Sequence, residues 1–285
     1  MDINPSIKLI LKILAKIILF LIGWGIILFS LLLLFIKNKE DYISNSYTLK
    51  LAMEALGIIS LLLITSLMMR FIEKVPFKEI GFKKGNIIND LTFGAIFSIL
   101  MLFVTISILL LGGWFNWNPY GSFKIKEFLI IAAALFINAI TQELLFRGYI
   151  FFIIKNYSSM AAILITSTLF SLAHIVKAAE NLLAFLNLFL IGVLYAYARN
   201  KSKNLWIIIS MHFFWNFLLS DVLGLTTSGY DLSSGLYLLK ENKSNPIFTG
   251  SDFGIEASIV NTVSIAIGFV LFNFIYKFTN KKHKL

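Results

Sequence analysis

The 285-residue sequence contains no cysteine and has little charge of either sign. Without cysteine the chain cannot form disulfides, thiolate metal sites or a cysteine nucleophile. Charged residues make up only 14% of the sequence and hydrophobic residues 58%, and the mean hydropathy is +0.85. Water-soluble domains are about 45–50% apolar. The composition therefore excludes an ordinary soluble globule and indicates a membrane protein.

Apolar runs long enough to cross a bilayer recur along the chain, with no evident internal repeat or low-complexity segment between them. They predict an all-α fold, a polytopic transmembrane helical bundle of about eight spans. No short apolar core followed by a small-residue cleavage site marks the N-terminus, so the first span is expected to be retained. Residues 75–84 mix apolar and basic side chains and are expected at the membrane surface. The predicted spans are 14–36, 51–72, 91–112, 127–154, 158–176, 181–198, 204–223 and 258–277.

The net charge of +10 comes mainly from lysines in the short connections and at both ends of the chain. This distribution is typical of the flanks of transmembrane helices and argues against a nucleic-acid partner. Basic residues are about twofold more frequent in the termini and even-numbered connections than in the odd ones. We therefore predict a multi-pass protein of the cell membrane with both termini in the cytoplasm. The lysine-, isoleucine- and asparagine-rich composition indicates a low-GC bacterium.

The fourth predicted span is almost wholly apolar apart from Asn138, Thr141, Gln142, Glu143 and Arg147. A charge at bilayer depth costs roughly 2.5–3.5 kcal/mol and is kept only where it is paired, and usually where it is used. Glu143 and Arg147 are four residues apart, so they lie on one helical face as an ion pair. The chain has only three arginines, so an arginine at this buried position indicates that its planar fork is needed.

Later spans contribute His174, His212 and Asn216, the last two on one helical face. Helical rise places Glu143 and these three residues about 14–24 Å from the cytoplasmic ends of their spans, so we expect them to lie in overlapping layers. A carboxylate and a neutral imidazole can jointly deprotonate a water. His212 and Asn216 can donate hydrogen bonds to the oxyanion formed when water attacks an amide. Together these residues predict a membrane-embedded hydrolytic site.

Each polar feature also has a purely structural explanation. A single buried ion pair, histidine or asparagine often joins neighbouring membrane helices. Phe170 is most simply core packing. The sequence identifies no partner for Glu54 in the second span, which is expected to be structural, or for His283 in the basic tail, which is expected to be solvated. The occurrence of three motifs in successive spans favours the hydrolytic site.

These motifs, Gln142-Glu143-x3-Arg147, Phe170-x3-His174 and His212-x3-Asn216, resemble those of a known family. It comprises intramembrane proteases that include the type II CAAX prenyl endopeptidases and the bacterial bacteriocin-processing and immunity (CPBP, Abi-like) proteins, with the pattern E-E-x3-R, F-x3-H and H-x3-N or D. Loop residues 227–229 and 249–256 look like those of a bacterial subgroup, and the resemblance covers roughly 127–256.

The resemblance implies an intramembrane endopeptidase acting on membrane-associated peptides or proteins through a water activated by glutamate and histidine. The implied catalytic positions are Gln142, Glu143, Arg147, His174, His212 and Asn216. It also implies one integrated membrane domain in three parts: N-terminal helices and interfacial loop (1–126), protease-like catalytic core (127–256), and C-terminal helix with basic tail (257–285).

One position departs from the family pattern: Gln142 stands where the family has its first glutamate. A glutamine can orient a water but cannot take its proton. Either Glu143 or His174 acts as the base instead, or the protein is a weakened or non-proteolytic relative, acting as a bacteriocin-immunity or membrane scaffold protein. A transporter is a third alternative, but the sequence has no inverted repeat and no pair of interrupted helices.

No cofactor is expected from the resemblance, with zinc as the alternative. Two histidines and a carboxylate, His174, His212 and Glu143, would supply three zinc ligands and leave a fourth position open. Neither H-E-x2-H nor H-x3-H occurs in the sequence. The expected partners are a peptide or membrane-protein substrate and the lipid bilayer. The sequence identifies neither the substrate nor the oligomeric state.

Overall fold

The structure is a computed structural model that describes residues 4–36, 46–82, 87–119, 123–178, 181–230, 237–242 and 245–282. Most of these residues are helical, which confirms the predicted all-α bundle. Helices α1 to α11 span Pro5–Ile36, Ser46–Leu67, Ile87–Leu111, Ile125–Glu143, Phe151–Lys155, Ser159–Ala173, Ile175–Ala178, Leu182–Ser202, Leu205–Asn216, Pro246–Thr249 and Ile259–Lys282.

Among the described residues, seven helical segments are long and apolar enough to cross a membrane. They coincide with seven of the eight predicted spans. The predicted span 158–176 instead forms the shorter helix α6, whose 15 residues extend about 22 Å. This is less than the roughly 30 Å hydrocarbon core of a bilayer. The seven are Ser6–Leu34, Tyr47–Glu73, Ile87–Leu111, Ile125–Lys155, Leu182–Ser202, Leu205–Val222 and Ile259–Phe278.

Three of these segments include a stretch of π-helix, in which the backbone turns are wider than in an α-helix. The π stretches are Met68–Glu73, Leu144–Ile150 and Phe217–Val222. The second joins α4 to α5 and contains Arg147, and the third directly follows Asn216. Such turns are rare and occur frequently at functional sites.

The packing of α9 on α3 is unusually close, because small residues line the contact. A Cβ added at Gly94 would lie only 2.4 Å from the Cβ of Ser210. The hydroxyl of Ser98 donates to the Met211 carbonyl at 2.6 Å. Small residues let helix backbones approach in membranes, where hydrophobic burial does not drive association. This contact fixes the position of the helix that carries His212 and Asn216.

The start of α9 is fixed by Asn204. Its Oδ1 accepts from the Trp206 amide at 3.0 Å, which caps the helix, and its Nδ2 donates to Asp90 Oδ2 at 2.6 Å. The helix therefore begins at a defined point relative to α3, which contains Asp90. Helix α4 also packs against α9, and α6 packs against α8.

The N-terminal helix α1 packs mainly against α2 and shows most of its apolar surface outward. Lys16 pairs with Glu73 at 2.7 Å, and the hydroxyl of Tyr149 donates to the same carboxylate at 3.0 Å. The indole of Trp24 donates to Ser60 Oγ at 3.0 Å. These polar contacts hold α1 against the second span, and Tyr149 links the second span to the fourth.

Beside the helices, the described residues include one short two-stranded antiparallel sheet. Strand β1, Phe115–Pro119, pairs with β2, Tyr237–Glu241, and so joins the third connection to the long loop before α11. Trp114 stacks on Phe248 with ring centroids 4.1 Å apart, which adds a second link between the same two loops.

The predicted interfacial segment 75–84 is described only as far as Phe82, so Lys83 and Lys84 lie outside the described residues. A 3-10 helix, Phe77–Ile80, ends at a buried isoleucine. The guanidinium of Arg199 donates to the Ile80 carbonyl at 2.6 Å, and the Leu205 amide donates to the Gly81 carbonyl at 3.0 Å. The described part therefore packs on the bundle, and its position relative to the bilayer stays a prediction.

Candidate active site

A cavity of about 460 Å³ lies between the helices and is closed on one side by the long loop. Four of the six predicted site residues line it: Gln142 from α4, His174 after α6, and His212 and Asn216 from α9. The remaining wall is largely apolar and aromatic. Residues far apart in sequence thus meet at one place. Its other lining residues include Trp24, Lys50, Glu54, Asn138, Phe146, Phe170, Tyr195, Trp215, Ser228, Tyr230 and Glu256.

The other two predicted residues, Glu143 and Arg147, form a fully buried ion pair one layer behind the cavity. Arg147 Nη1 lies 3.2 Å from Glu143 Oε1, and both side chains are 0% exposed. The same carboxylate oxygen is 2.8 Å from His212 Nδ1. His212 itself lines the cavity, so Glu143 contacts the site through this histidine. Glu143 Oε2 has no hydrogen-bond partner within the described residues.

Arg147 is held on three sides. Its Nη2 donates to the Gly192 carbonyl at 3.2 Å, and its guanidinium carbon lies 4.4 Å from the Phe170 ring centroid. A second buried arginine, Arg199, donates from Nε to the Arg147 carbonyl at 3.2 Å. The sequence predicted that a planar guanidinium is needed at this position. In the structure one of its nitrogens, Nη1, contacts Glu143.

Phe170 separates the two histidines. Its ring centroid lies 4.8 Å from that of His174 and 6.1 Å from that of His212. The residue is 3% exposed, as expected for core packing, but its neighbours are the residues of the site. One apolar ring therefore fixes the spacing of two imidazoles and the position of the Arg147 guanidinium.

His174 lies at the C-terminal end of α6, and its tautomer follows from its neighbour. Nδ1 is 2.9 Å from the carbonyl oxygen of Phe170. A carbonyl only accepts, so Nδ1 carries the proton and donates it. In the neutral ring Nε2 then has a free lone pair, and the ring lines the cavity.

Gln142 is connected to a carboxylate that the sequence left without a partner. Its Nε2 donates to Asn138 Oδ1 at 2.8 Å, and Asn138 Nδ2 lies 3.1 Å from both carboxylate oxygens of Glu54. The expectation that Glu54 is merely structural is incomplete, because its contact with Asn138 connects it to the site. The chain of hydrogen bonds leaves Gln142 Oε1 without a partner among the described residues.

Glu256 is a further site residue that the sequence did not single out. It belongs to a 3-10 turn, Ile255–Ala257, and lines the cavity. Its carboxylate accepts hydrogen bonds from the Trp215 indole at 3.0 Å and from the Ser228 amide at 2.5 Å. The similarity of residues 227–229 and 249–256 to a bacterial subgroup could have pointed to Glu256, because these two stretches contact each other at the cavity.

The zinc alternative named Glu143, His174 and His212 as its ligands. Within the described residues, no group of three or more histidine, aspartate or glutamate side chains is arranged to hold a metal ion.

Comparison with known proteins agrees with the motifs. Residues 124–218 match the family model described as Type II CAAX prenyl endopeptidase Rce1-like. None of the curated proteins matches the chain. The matched region contains all three motifs, and it supplies α4, α6, α8 and α9 around the cavity. The match covers 95 of the 285 residues, and over this region the chain is similar to the type II CAAX prenyl endopeptidases.

Proposed function

We propose that this protein is a membrane-embedded endopeptidase that cleaves membrane-associated peptides or proteins. The observation that carries the proposal is the convergence of Gln142, His174, His212 and Asn216 on one cavity inside the bundle. Its volume, about 460 Å³, lies in the range of ligand pockets, roughly 300–1,000 Å³. The family match supports peptide-bond hydrolysis as the reaction.

His174 acts as the base in this proposal. The proton on its Nδ1 is donated to the Phe170 carbonyl, so Nε2 is free to accept a proton from a water in the cavity. The unpartnered Oε1 of Gln142 accepts a hydrogen bond from the same water and orients it. Glu143 is less suited to be the base, because Arg147 and His212 already occupy one of its oxygens behind the cavity wall.

His212 and Asn216 stabilise the oxyanion. The Glu143 carboxylate accepts from Nδ1 of His212, which turns Nε2 of that ring away from the carboxylate. A proton on Nε2 of His212 can then be donated to a developing negative oxygen, while Glu143 holds the ring in place. The amide of Asn216 supplies the second donor. Preorganised donors of this kind are each worth about 10²–10³ in kcat.

The complete reaction consumes one water. Its oxygen bonds to the substrate carbonyl carbon while one proton moves to His174 Nε2, and the carbonyl oxygen becomes the oxyanion. The carbon–nitrogen bond then breaks, and His174 returns the proton to the departing amine. The products are a carboxylic acid and an amine. No metal takes part in these steps, and we expect proteolysis to be insensitive to chelators such as EDTA and 1,10-phenanthroline.

A direct test uses the purified full-length protein in vesicles of phosphatidylcholine and phosphatidylglycerol. A library of internally quenched peptides with an apolar half is the probe, and mass spectrometry identifies the products. We expect cleavage by the wild type and its loss in His174→Ala. His283→Ala, which removes the third histidine, is the matched control and should retain cleavage. A wild type that cleaves nothing, or a His174→Ala variant with full activity, would refute the proposal.

The second candidate is a non-proteolytic relative that binds a peptide or membrane protein in the same cavity, as an immunity or scaffold protein. Gln142 is the observation that favours it, because the family has a glutamate there. A deletion strain complemented with His212→Ala or Asn216→Ala separates the two. A scaffold keeps its cellular phenotype in both variants, whereas a protease loses it together with the processed peptides seen in the parent strain.

A further inference from the structure

Three hydrogen bonds hold the carboxylate of Glu256 at the edge of the cavity. Its Oε1 accepts from the Trp215 indole at 3.0 Å, and its Oε2 accepts from the Ser228 amide and hydroxyl at 2.5 and 2.9 Å. Three donors on two oxygens fix the direction of the carboxylate. These hydrogen bonds also occupy oxygen lone pairs that a general base would use to accept a proton. The Glu256 carboxylate is therefore suited to act as a fixed negative charge.

The backbone of Glu256 is anchored as well. Its carbonyl accepts from Asn187 Nδ2 at 2.8 Å and from Asn261 Nδ2 at 3.2 Å. Asn187 is itself oriented by the hydroxyl of Thr262, which donates to its Oδ1 at 2.7 Å. Helices α8 and α11 thus position a residue that lies outside the region matched by the family model, 124–218.

The charges around His174 explain why an anion is needed there. Arg147 and His212 act on His174 as like charges, whereas Glu256 acts on it as an opposite charge. Glu143 is already engaged by Arg147 and His212. The other charged or titratable groups that line the cavity are Lys50 and Glu54 from α2, Tyr195 from α8 and Tyr230 from the long loop.

We propose that Glu256 is a positioning residue of the hydrolytic site, whose fixed carboxylate stabilises the imidazolium formed when His174 takes the proton of the attacking water. It thereby supplies the negative charge that the family's first glutamate provides and that Gln142 cannot. The inference rests on the proposed function. No further reactant is needed, since the proton moves from water to His174 and then to the amine while Glu256 stays ionised.

The test compares four variants in the same vesicles, with one quenched peptide that the wild type cleaves. They are Glu256→Gln, Gln142→Glu, the double variant, and Asp252→Asn as a control that removes an exposed carboxylate from the same loop. We expect Glu256→Gln to lower kcat roughly tenfold or more with little change in KM. Gln142→Glu should restore most of that loss in the double variant, and Asp252→Asn should match the wild type.

The rescue distinguishes an electrostatic role from a structural one. If Glu256 only holds the loop in place, a carboxylate at position 142 cannot repair its loss, and the double variant stays as inactive as Glu256→Gln. That result, or a Glu256→Gln variant with wild-type kcat, would overturn the inference while leaving the proposed protease intact. A wild type that cleaves no peptide would overturn the proposed function and this inference with it.

Discussion

At the scale of single residues, the cation that pairs with Glu143 is an arginine in a chain whose basic residues are mostly lysines. The contacts of Arg147 explain this choice. One nitrogen binds Glu143, a second binds the Gly192 carbonyl, and the guanidinium carbon lies 4.4 Å from the Phe170 ring centroid. A lysine has one point-like ammonium and cannot make these three contacts from one position.

We therefore expect Arg147→Lys to lower kcat/KM about tenfold or more. The expected loss is one or two charge-assisted hydrogen bonds, worth about 1.5–3 kcal/mol each. The measurement is peptide cleavage in vesicles together with thermal unfolding. Arg70→Lys, at an exposed arginine, is the matched control. Normal cleavage and normal stability in Arg147→Lys would show that the charge alone suffices and that the planar group has no role.

The proposed oxyanion donors make a second prediction at this scale. Asn216→Ala removes one donor from the cavity wall and should lower kcat by about 10²–10³ with KM little changed, since the contact strengthens only in the transition state. Asn118→Ala, at an exposed position of β1, is the control and should behave as wild type. A rise in KM with unchanged kcat would instead make Asn216 a substrate-binding residue.

At the scale of helices and strands, local sequence patterns predicted the transmembrane helices. Structure that depends on residues distant in the chain was not predicted. Long apolar runs predict spans because a helix alone satisfies its own backbone in lipid. The spacing of Glu143 and Arg147 predicted their pairing for the same local reason. The strands β1 and β2 are more than 100 residues apart in the chain and carried no such pattern. The short α6 was also missed, since apolarity continues past its last residue, Ala173.

The contact between α6 and α8 leads to a third prediction. A Cβ at Gly192 would lie 3.1 Å from Ser167 and 3.3 Å from Arg147 Nη2. Gly192→Ala therefore has to push α6 or the Arg147 guanidinium aside, and we expect about 1–3 kcal/mol of destabilisation together with reduced cleavage. Thermal unfolding and kcat/KM are the measurements.

Gly57→Ala in α2 is the control for that experiment, because nothing lies within 4 Å of the added Cβ. Alanine is a better helix former than glycine by about 0.5–1 kcal/mol, so this variant should be as stable as the wild type or more so. If Gly192→Ala behaved like Gly57→Ala, the close approach of α8 to Arg147 would not constrain the site.

At the scale of the whole molecule, the site draws on residues from nearly the entire chain. The motifs located Gln142, His174, His212 and Asn216, which was enough to predict a common cavity. Glu54 and Glu256 were missed as site residues because their positions depend on packing. Both line the cavity, where Glu54 contacts an asparagine 84 residues away and Glu256 contacts a serine 28 residues away. No periodicity in a single sequence encodes contacts of this kind.

The last prediction concerns how the bundle crosses the membrane. Both termini lie on the cytoplasmic side only if α6 counts as a crossing, because the seven longer segments alone would leave the termini on opposite sides. Because the sequence has no cysteine, one introduced cysteine is the single thiol that a maleimide can label, and no native cysteine has to be removed first. Ser6→Cys and Leu285→Cys, in inverted and right-side-out vesicles, are to be labelled with a membrane-impermeant maleimide.

We expect both positions to be labelled only when the cytoplasmic face is outside. In that case α6 crosses as a short helix, and the bilayer thins or the flanking residues reach outward to accommodate its roughly 22 Å, at a modest cost. Labelling of the two termini from opposite faces would mean that α6 enters and leaves by the same side. His174 at its end would then stand at the tip of a re-entrant helix, and water would have a shorter path to the proposed base.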